Sequence, residues 1–368
     1  MILISPTSFK GTLTAIEVAH AMAAGVAAAS GSAPDEVRTL PLSDGGNGLL
    51  AALESVDGGK GQGARVAGPL GTSVTARFLV QERRVVVESA EACGIHLVPS
   101  PLRDPSRAST RGVGQLLLAG REAVDDPTER TMVVGLGGSA TIDAGAGMVR
   151  ALGWELLNAD GEPIHPGGRG LLELQAIEPP DHPVELPELV ILADVQNPLL
   201  GERGAARIYG PQKGASPDDV AVLERGLERW VEVVERELGK KVAALPGAGA
   251  AGGLGAAFAA FLDAPPRLGA AWLLETVGFD AALAEADVVI TGEGAWDEQS
   301  TMGKVTGEVV DRANAEGVPV LVVAGSVEGP VPDGATVTTG DGEPLDADGV
   351  RKRVEDAMPG LLARRRRR

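Results

Sequence analysis

Seven short runs rich in β-branched residues punctuate this chain, at residues 2–4, 37–42, 84–88, 131–135, 189–193, 287–291 and 319–324. Each ends in a polar or glycine-rich loop, and helical patterns fill the intervals. Near-continuous apolar runs of this length suit strands covered on both faces, and strands alternating with helices build a largely parallel sheet. The expected fold class is therefore α/β. Open sheets of this kind bind ligands beyond the carboxyl ends of their strands, so chemistry is expected in the loops after these runs.

Helix starts are legible too. Thr14 with Glu17 forms a capping box ahead of an alanine-rich stretch to Ser30. Ser216, Pro217, Asp218 and Asp219 open a long helix to Leu238, with Ser216 as N-cap and proline in the first turn. Residues 57–73 and 158–187, rich in Gly and Pro, read as loops or boundaries, and the end from Asp341 reads as weakly specified. A length of 368 residues exceeds one ordinary core, so two domains are expected.

Composition narrows the partners. The chain has 33 basic against 51 acidic residues, a net charge of −18, which repels nucleic acid and anionic membrane. An anionic substrate then needs a local positive pocket. The run Arg364–Arg368 reads as a solvated end. The single cysteine, Cys93, rules out an intrachain disulfide and reads as a buried, inert thiol. The start MILISPTSFK has no charged leader, and no run reaches the roughly 20 apolar residues of a membrane span. A cytoplasmic location is expected. His20, His96, His165 and His182 are scattered without zinc-ligand spacing.

The stretch GLGGSATIDAGAG, residues 135–147, follows an apolar run and precedes a helical pattern. Glycine leaves its backbone N–H groups bare, and with Ser139, Thr141 and a helix start these make an anion site suited to phosphate. The bland alternative is a tight turn that needs glycine for close packing. The stretch is neither a P-loop nor a G-x-G-x-x-G fingerprint. In a second glycine-rich loop, PGAGAAGGLG at residues 246–255, helix packing and ligand contact are equally open readings. Carboxylates stand at strand ends: Asp44, Asp194, and Glu293 with Asp297. Phosphoryl transfer uses such groups to hold Mg²⁺ and to take the acceptor's proton. Lys10, Lys213 and Lys304 lie beside glycines or motif edges, Lys10 foremost among them.

Together SFKGTLTA (8–15), DGGNG (44–48), GLGGSATIDAGAGM (135–148), DVQNPLLGERGAA (194–206), GPQKGA (210–215), PGAGAAGGLG (246–255) and TGEGAWDEQSTMGK (291–304) resemble, in order, the motifs of the bacterial glycerate kinase type 1 family. The resemblance implies phosphorylation of D-glycerate by ATP with Mg²⁺, giving 2-phosphoglycerate or, alternatively, 3-phosphoglycerate. It implies two α/β domains in a monomer or homodimer. One is Rossmann-like with a largely parallel sheet, built from residues 1–75 plus 285–368; the other is inserted, at 76–284. The active site is expected in the cleft between them.

Carried over by residue, the resemblance gives Lys10, Asp194 and Asp297 catalytic roles, with Lys10 pairing the glycerate carboxylate. Ser8, Asp44, Asn47, Thr110 and Lys304 would bind the acid, and Gly137, Gly138, Ser139, Thr141, Gly252 and Gly253 the nucleotide. Asp194, Glu293 and Asp297 would serve Mg²⁺. Two departures stand out: Asn47 replaces the family's Glu, and Ile142 its Asn. The alternatives are a small-molecule kinase of another family, since GLGGSA also resembles the phosphate loop of homoserine and galactokinase relatives, and a non-catalytic sensor of glycerate or nucleotide.

Overall fold

The computed structural model describes residues 1–9, 11–30, 36–297, 300, 304–340 and 345–365. Along the chain the strands among them are β1 (Ile2–Ile4), β2 (Val37–Thr39), β3 (Lys60–Ala67), β4 (Ser73–Val80), β5 (Arg84–Glu88), β6 (Thr131–Leu136) and β7 (Glu155–Leu157). They continue as β8 (Ala176–Glu178), β9 (Glu188–Ala193), β10 (Arg267–Leu268), β11 (Val288–Trp296), β12 (Val320–Val327) and β13 (Ala335–Thr339).

Packing divides the chain into two compact units. The first comprises Met1–Asp44, Ala51–Gly58 and Gly269–Arg368; the second comprises Gly45–Leu50 and Gly59–Leu268. The first unit holds a five-stranded sheet, order β13-β12-β11-β1-β2, with every neighbouring pair parallel. The second holds a six-stranded sheet, order β10-β9-β6-β5-β4-β3, in which β10, β9, β6 and β5 are parallel and the β3–β4 hairpin is antiparallel. A small β7–β8 ribbon accompanies it.

All seven β-branched runs are strands. Most of their apolar residues are buried, and each fully buried Val, Ile or Leu contributes about 1.5–3 kcal/mol. The run at 37–42 is shorter than expected. Pro41 carries no N–H, so regular pairing stops at Thr39, although Leu40 N still donates to Ile4 O and Leu42 N to Pro6 O. The predicted capping box forms at Thr14–Glu17, and Ser216 caps the helix Pro217–Leu238 as expected, with Asp219 completing a capping box there.

Four readings are revised. Residues 57–73 hold a boundary between the units, at Gly58 and Gly59, but are not loop throughout: they contain all of β3, because eight register pairs with β4 outweigh the poor strand propensity of its glycines. That hairpin belongs to the second sheet, so the second unit comprises Gly45–Leu50 and Gly59–Leu268 where 76–284 was expected. Residues 158–187 hold β8, paired to β7, and a 3₁₀ turn at Gly168–Glu173. The end that looked weakly specified carries the helix Ala347–Arg365, with Val350, Val354, Met358 and Leu361 buried along one stripe in the first unit's core.

Candidate active site

In the second unit, β6 and β9 are paired so that Leu136 sits opposite Ala193. The next residue on each strand therefore leaves the sheet at the same edge: Gly137 opens the glycine-rich loop after β6, and Asp194 follows β9. The loop is pinned from below. Ile95 N donates to Gly138 O and Ala140 N to Cys93 O, while the N–H groups of Gly138 and Ser139 meet no hydrogen-bond acceptor among the described residues. Gly138 is exposed with φ +57°, and the amide of Asn47 lies against it: a methyl built at 138 would meet Asn47 Oδ1 at 2.6 Å. Gly45–Leu50 belong to this unit, so Asn47 reaches the loop within it.

Lys213, almost wholly buried, donates from Nζ to Ser139 Oγ at 2.8 Å and to Thr141 O at 2.9 Å. Desolvation lowers its pKa to about 8. Desolvation also pushes the Cys93 thiol up to about 12, reinforced by Asp143, so the inert reading of this buried cysteine stands. Asp143, completely buried, accepts from Thr110 N and Oγ1 and from Gly145 and Gly147 N–H, while burial raises its pKa above the ordinary carboxyl value. Thr110 Oγ1 also accepts from Met148 N. Expected as a substrate contact, the Thr110 hydroxyl is instead committed within the loop's foundation.

Gly252 and Gly253 have φ of +72° and +96° and interrupt the helix Ala250–Phe261. A methyl at 252 would lie 1.9 Å from Thr141 O, and one at 253 would lie 2.8 Å from Ala144 Cα. Both glycines press on the first loop's backbone, which is the packing reading of this second loop. Tyr209, whose hydroxyl donates to Asn197 Oδ1, is pushed up to about 12 by burial, with Asp194 adding to the shift.

In the first unit the structure collects Asp44, Glu293, Asp297 and Lys304. Glu293 lies inside β11, not at its end, and Asp297 directly follows that strand. Glu293 is buried, and Oε1 has no hydrogen-bond partner among the described residues. Burial raises its carboxyl to about 7; Ser300 and Lys304 oppose the shift, while the charges of Asp44 and Asp297 add to it. Lys304 Nζ stands 3.8 Å from Asp297 Oδ1, and Ser300 N donates to that same oxygen. Asp44 Oδ1 accepts from Val305 N at the start of the helix Val305–Ala315. Ser8 is half-buried in the loop after β1. Lys10 lies outside the described residues. No three His, Cys, Asp or Glu side chains among the described residues converge to hold a metal by themselves.

A model for the glycerate kinase family matches residues 2–338. The chain belongs to the glycerate kinase family. A glycerate kinase of Halalkalibacterium halodurans is 43% identical over 330 residues, which cover 89% of this chain and 85% of that one. A glycerate 2-kinase of Escherichia coli strain K12 is 39% identical over the same shares of the two chains. A crystal structure assigned as glycerate kinase 2 of Salmonella typhimurium LT2 superposes with a TM-score of 0.82 at 35% identity, covering 99% of both chains. Among the described residues no helix is long and apolar enough to cross a membrane.

The sequence singled out Lys213 without placing it in the site, and it passed over Asp143 and Glu88. Glu88, the last residue of β5, is buried and accepts from Leu50 N through Oε1 at 2.8 Å, tethering the DGGNG turn. Its signal was a carboxylate closing an otherwise apolar run. Burial raises its pKa from 4.5 to about 7 against the pull of the Leu50 and Gly48 N–H groups. The folded state therefore holds a proton that the unfolded chain releases near 4.5. Stability from this group is fully present below that pH and is lost as pH rises through 7. Glu88→Gln is expected to flatten the fall in melting temperature between pH 5 and 7, read by calorimetry over a pH series. An unchanged slope would refute the assignment to Glu88.

Proposed function

We propose that this chain transfers the γ-phosphoryl group of ATP to a hydroxyl of D-glycerate, giving 2-phosphoglycerate, with 3-phosphoglycerate as the alternative product. The observation that supports the reading is the β6–β9 register, in which Leu136 faces Ala193, so that the glycine-rich loop and Asp194 follow neighbouring strands at one sheet edge. Fixed N–H donors stabilise the charge that spreads over transferring phosphoryl oxygens at no reorganisation cost. The acceptor alcohol must lose a proton, and Asp194 and Asp297 are the carboxylates proposed to receive it. Lys10 would neutralise the acid's carboxylate, with Ser8, Asp44, Asn47 and Lys304 contacting the rest of the molecule.

Mg²⁺, when bound, would supply positive charge that offsets the charge of the phosphates, and Asp194, Glu293 and Asp297 are the residues proposed to hold it. Hard oxygen donors fit it: Glu293 Oε1 is buried without a hydrogen-bond partner among the described residues, and Asp297 and Asp194 are carboxylates at strand ends. Mg²⁺ typically takes only one or two protein carboxylates beside phosphates and water, so a complete protein cage is not required. Such an enzyme works in the cytoplasm, as a monomer or homodimer.

A coupled ADP-release assay with D-glycerate, L-glycerate and no acceptor tests the reading, with phosphorus NMR of the product to fix the hydroxyl. Release dependent on D-glycerate is expected. Nucleotide binding with no release above the acceptor-free rate would favour the sensor and sink the proposal.

A further inference from the structure

Lys213 is anomalous in its surroundings. Its ammonium is almost wholly buried, yet both of its hydrogen-bond acceptors, Ser139 Oγ and Thr141 O, are uncharged. The nearby Asp143 carboxyl is already spent on donors from Thr110, Gly145 and Gly147. A buried charge without a dedicated counter-ion is costly, and such groups cluster where function needs them. This one lies directly under the loop that offers open amides to an anion, in a chain whose net charge of −18 otherwise repels anions.

We propose that Lys213 is a positioning residue for phosphate recognition: by donating to Ser139 Oγ it turns the Ser139 hydroxyl proton away from itself, so that the loop presents an O–H donor together with the N–H groups of Gly138 and Ser139. The inference rests on the phosphoryl-transfer reading for its ligand. A serine hydroxyl has one proton to give, and an ammonium has three donors and no acceptor, so the direction of the Lys213–Ser139 bond is fixed while the lysine is charged. Loss of that proton creates a lone pair on Nζ, and the serine proton is then free to turn inward.

The groups facing the ammonium are the Cys93 thiol from the helix Ala90–Cys93, the Asp143 carboxyl, and the Tyr209 ring 6.0 Å away on the helix Ala205–Tyr209. Cys93 and Tyr209, both at about 12, stay neutral through pH 9, while desolvation brings Lys213 to about 8. The donor direction is therefore expected to fail as pH rises past 8.

The test measures MgADP affinity, and the KM values for MgATP and D-glycerate, in wild type, Ser139→Ala, Lys213→Met, Lys213→Gln and the Lys213→Met/Ser139→Ala double variant. Each of K213M and S139A is expected to weaken nucleotide affinity about 10-fold while KM for glycerate stays within about 2-fold. Because the lysine acts through the serine, the double variant should match S139A within about 2-fold instead of multiplying the two effects. K213Q keeps a neutral donor to Ser139 Oγ and is expected to lie between K213M and wild type. Wild-type MgADP affinity should drop several-fold between pH 7 and 9, and that drop should vanish in S139A; this comparison decides alone if the lysine variants do not fold. Multiplicative effects, or a wild-type affinity flat in pH, overturn the proposal. A wild type that binds MgADP with the coupled pattern but never phosphorylates glycerate would defeat the functional reading and leave this inference standing.

Discussion

Asp194→Asn is expected to lower kcat/KM for D-glycerate at least about 100-fold, roughly 2.7 kcal/mol of lost transition-state stabilisation. The substitution keeps the shape of the side chain and removes only its charge and basicity. Directly after β9, which pairs with the strand leading into the glycine-rich loop, those are the properties that either role proposed for Asp194 requires. The two roles separate in a magnesium titration. A base variant should show an unchanged Mg²⁺ requirement and a uniformly low kcat, whereas a ligand variant should need more Mg²⁺ and recover part of its rate when the ion is raised. A rate within threefold of wild type would remove Asp194 from the chemistry and leave Asp297 as the remaining candidate base.

Gly252→Ala should be the most damaging single methyl in the second unit. The added carbon would sit 1.9 Å from Thr141 O, at a backbone φ of +72°. Strain from the left-handed conformation and overpacking together cost about 3 kcal/mol or more, a loss of roughly 6–12 °C in melting temperature for a unit of this size. Gly201→Ala is the matched control. Its φ is +88°, but a methyl there meets nothing within 4 Å, so it carries the conformational cost of about 1–2 kcal/mol without the collision. Equal melting temperatures for the two variants would show that contact with the Thr141 backbone is not what fixes glycine at 252. Nucleotide affinity should fall in G252A alone, because the displaced backbone also accepts from Lys213.

The contrast between these residues shows which parts of the molecule the amino-acid order reveals. Buried parallel strands announce themselves, since both faces demand apolar residues; Arg84–Glu88 could be read to the residue. The β3 edge strand could not, because KGQGARVA has only one buried residue to mark it and is held by main-chain pairing. In the site, the glycine-rich loop and the carboxylates near Glu293 were visible as motifs. Their support was not. Thr110 and Gly252 looked like ligand contacts and are packing and hydrogen-bonding partners of the loop, while Asp143 and Glu88, which hold backbone N–H groups across 33 and 38 residues of sequence, left almost no local pattern. Long-range satisfaction of buried polar groups is a property of the folded chain, not of any window of it.

The helix Ala347–Arg365 has a practical consequence. It lies beyond the residues that the family model matches, which end at 338, yet it nests so closely on the helix Ala15–Ser30 that a methyl at Gly25 would strike Arg351 O at 2.4 Å. A chain cut after residue 338 would strip the first unit of its greasy cover, and the exposed valines and methionines would be expected to drive such a product into inclusion bodies whatever the state of its loops.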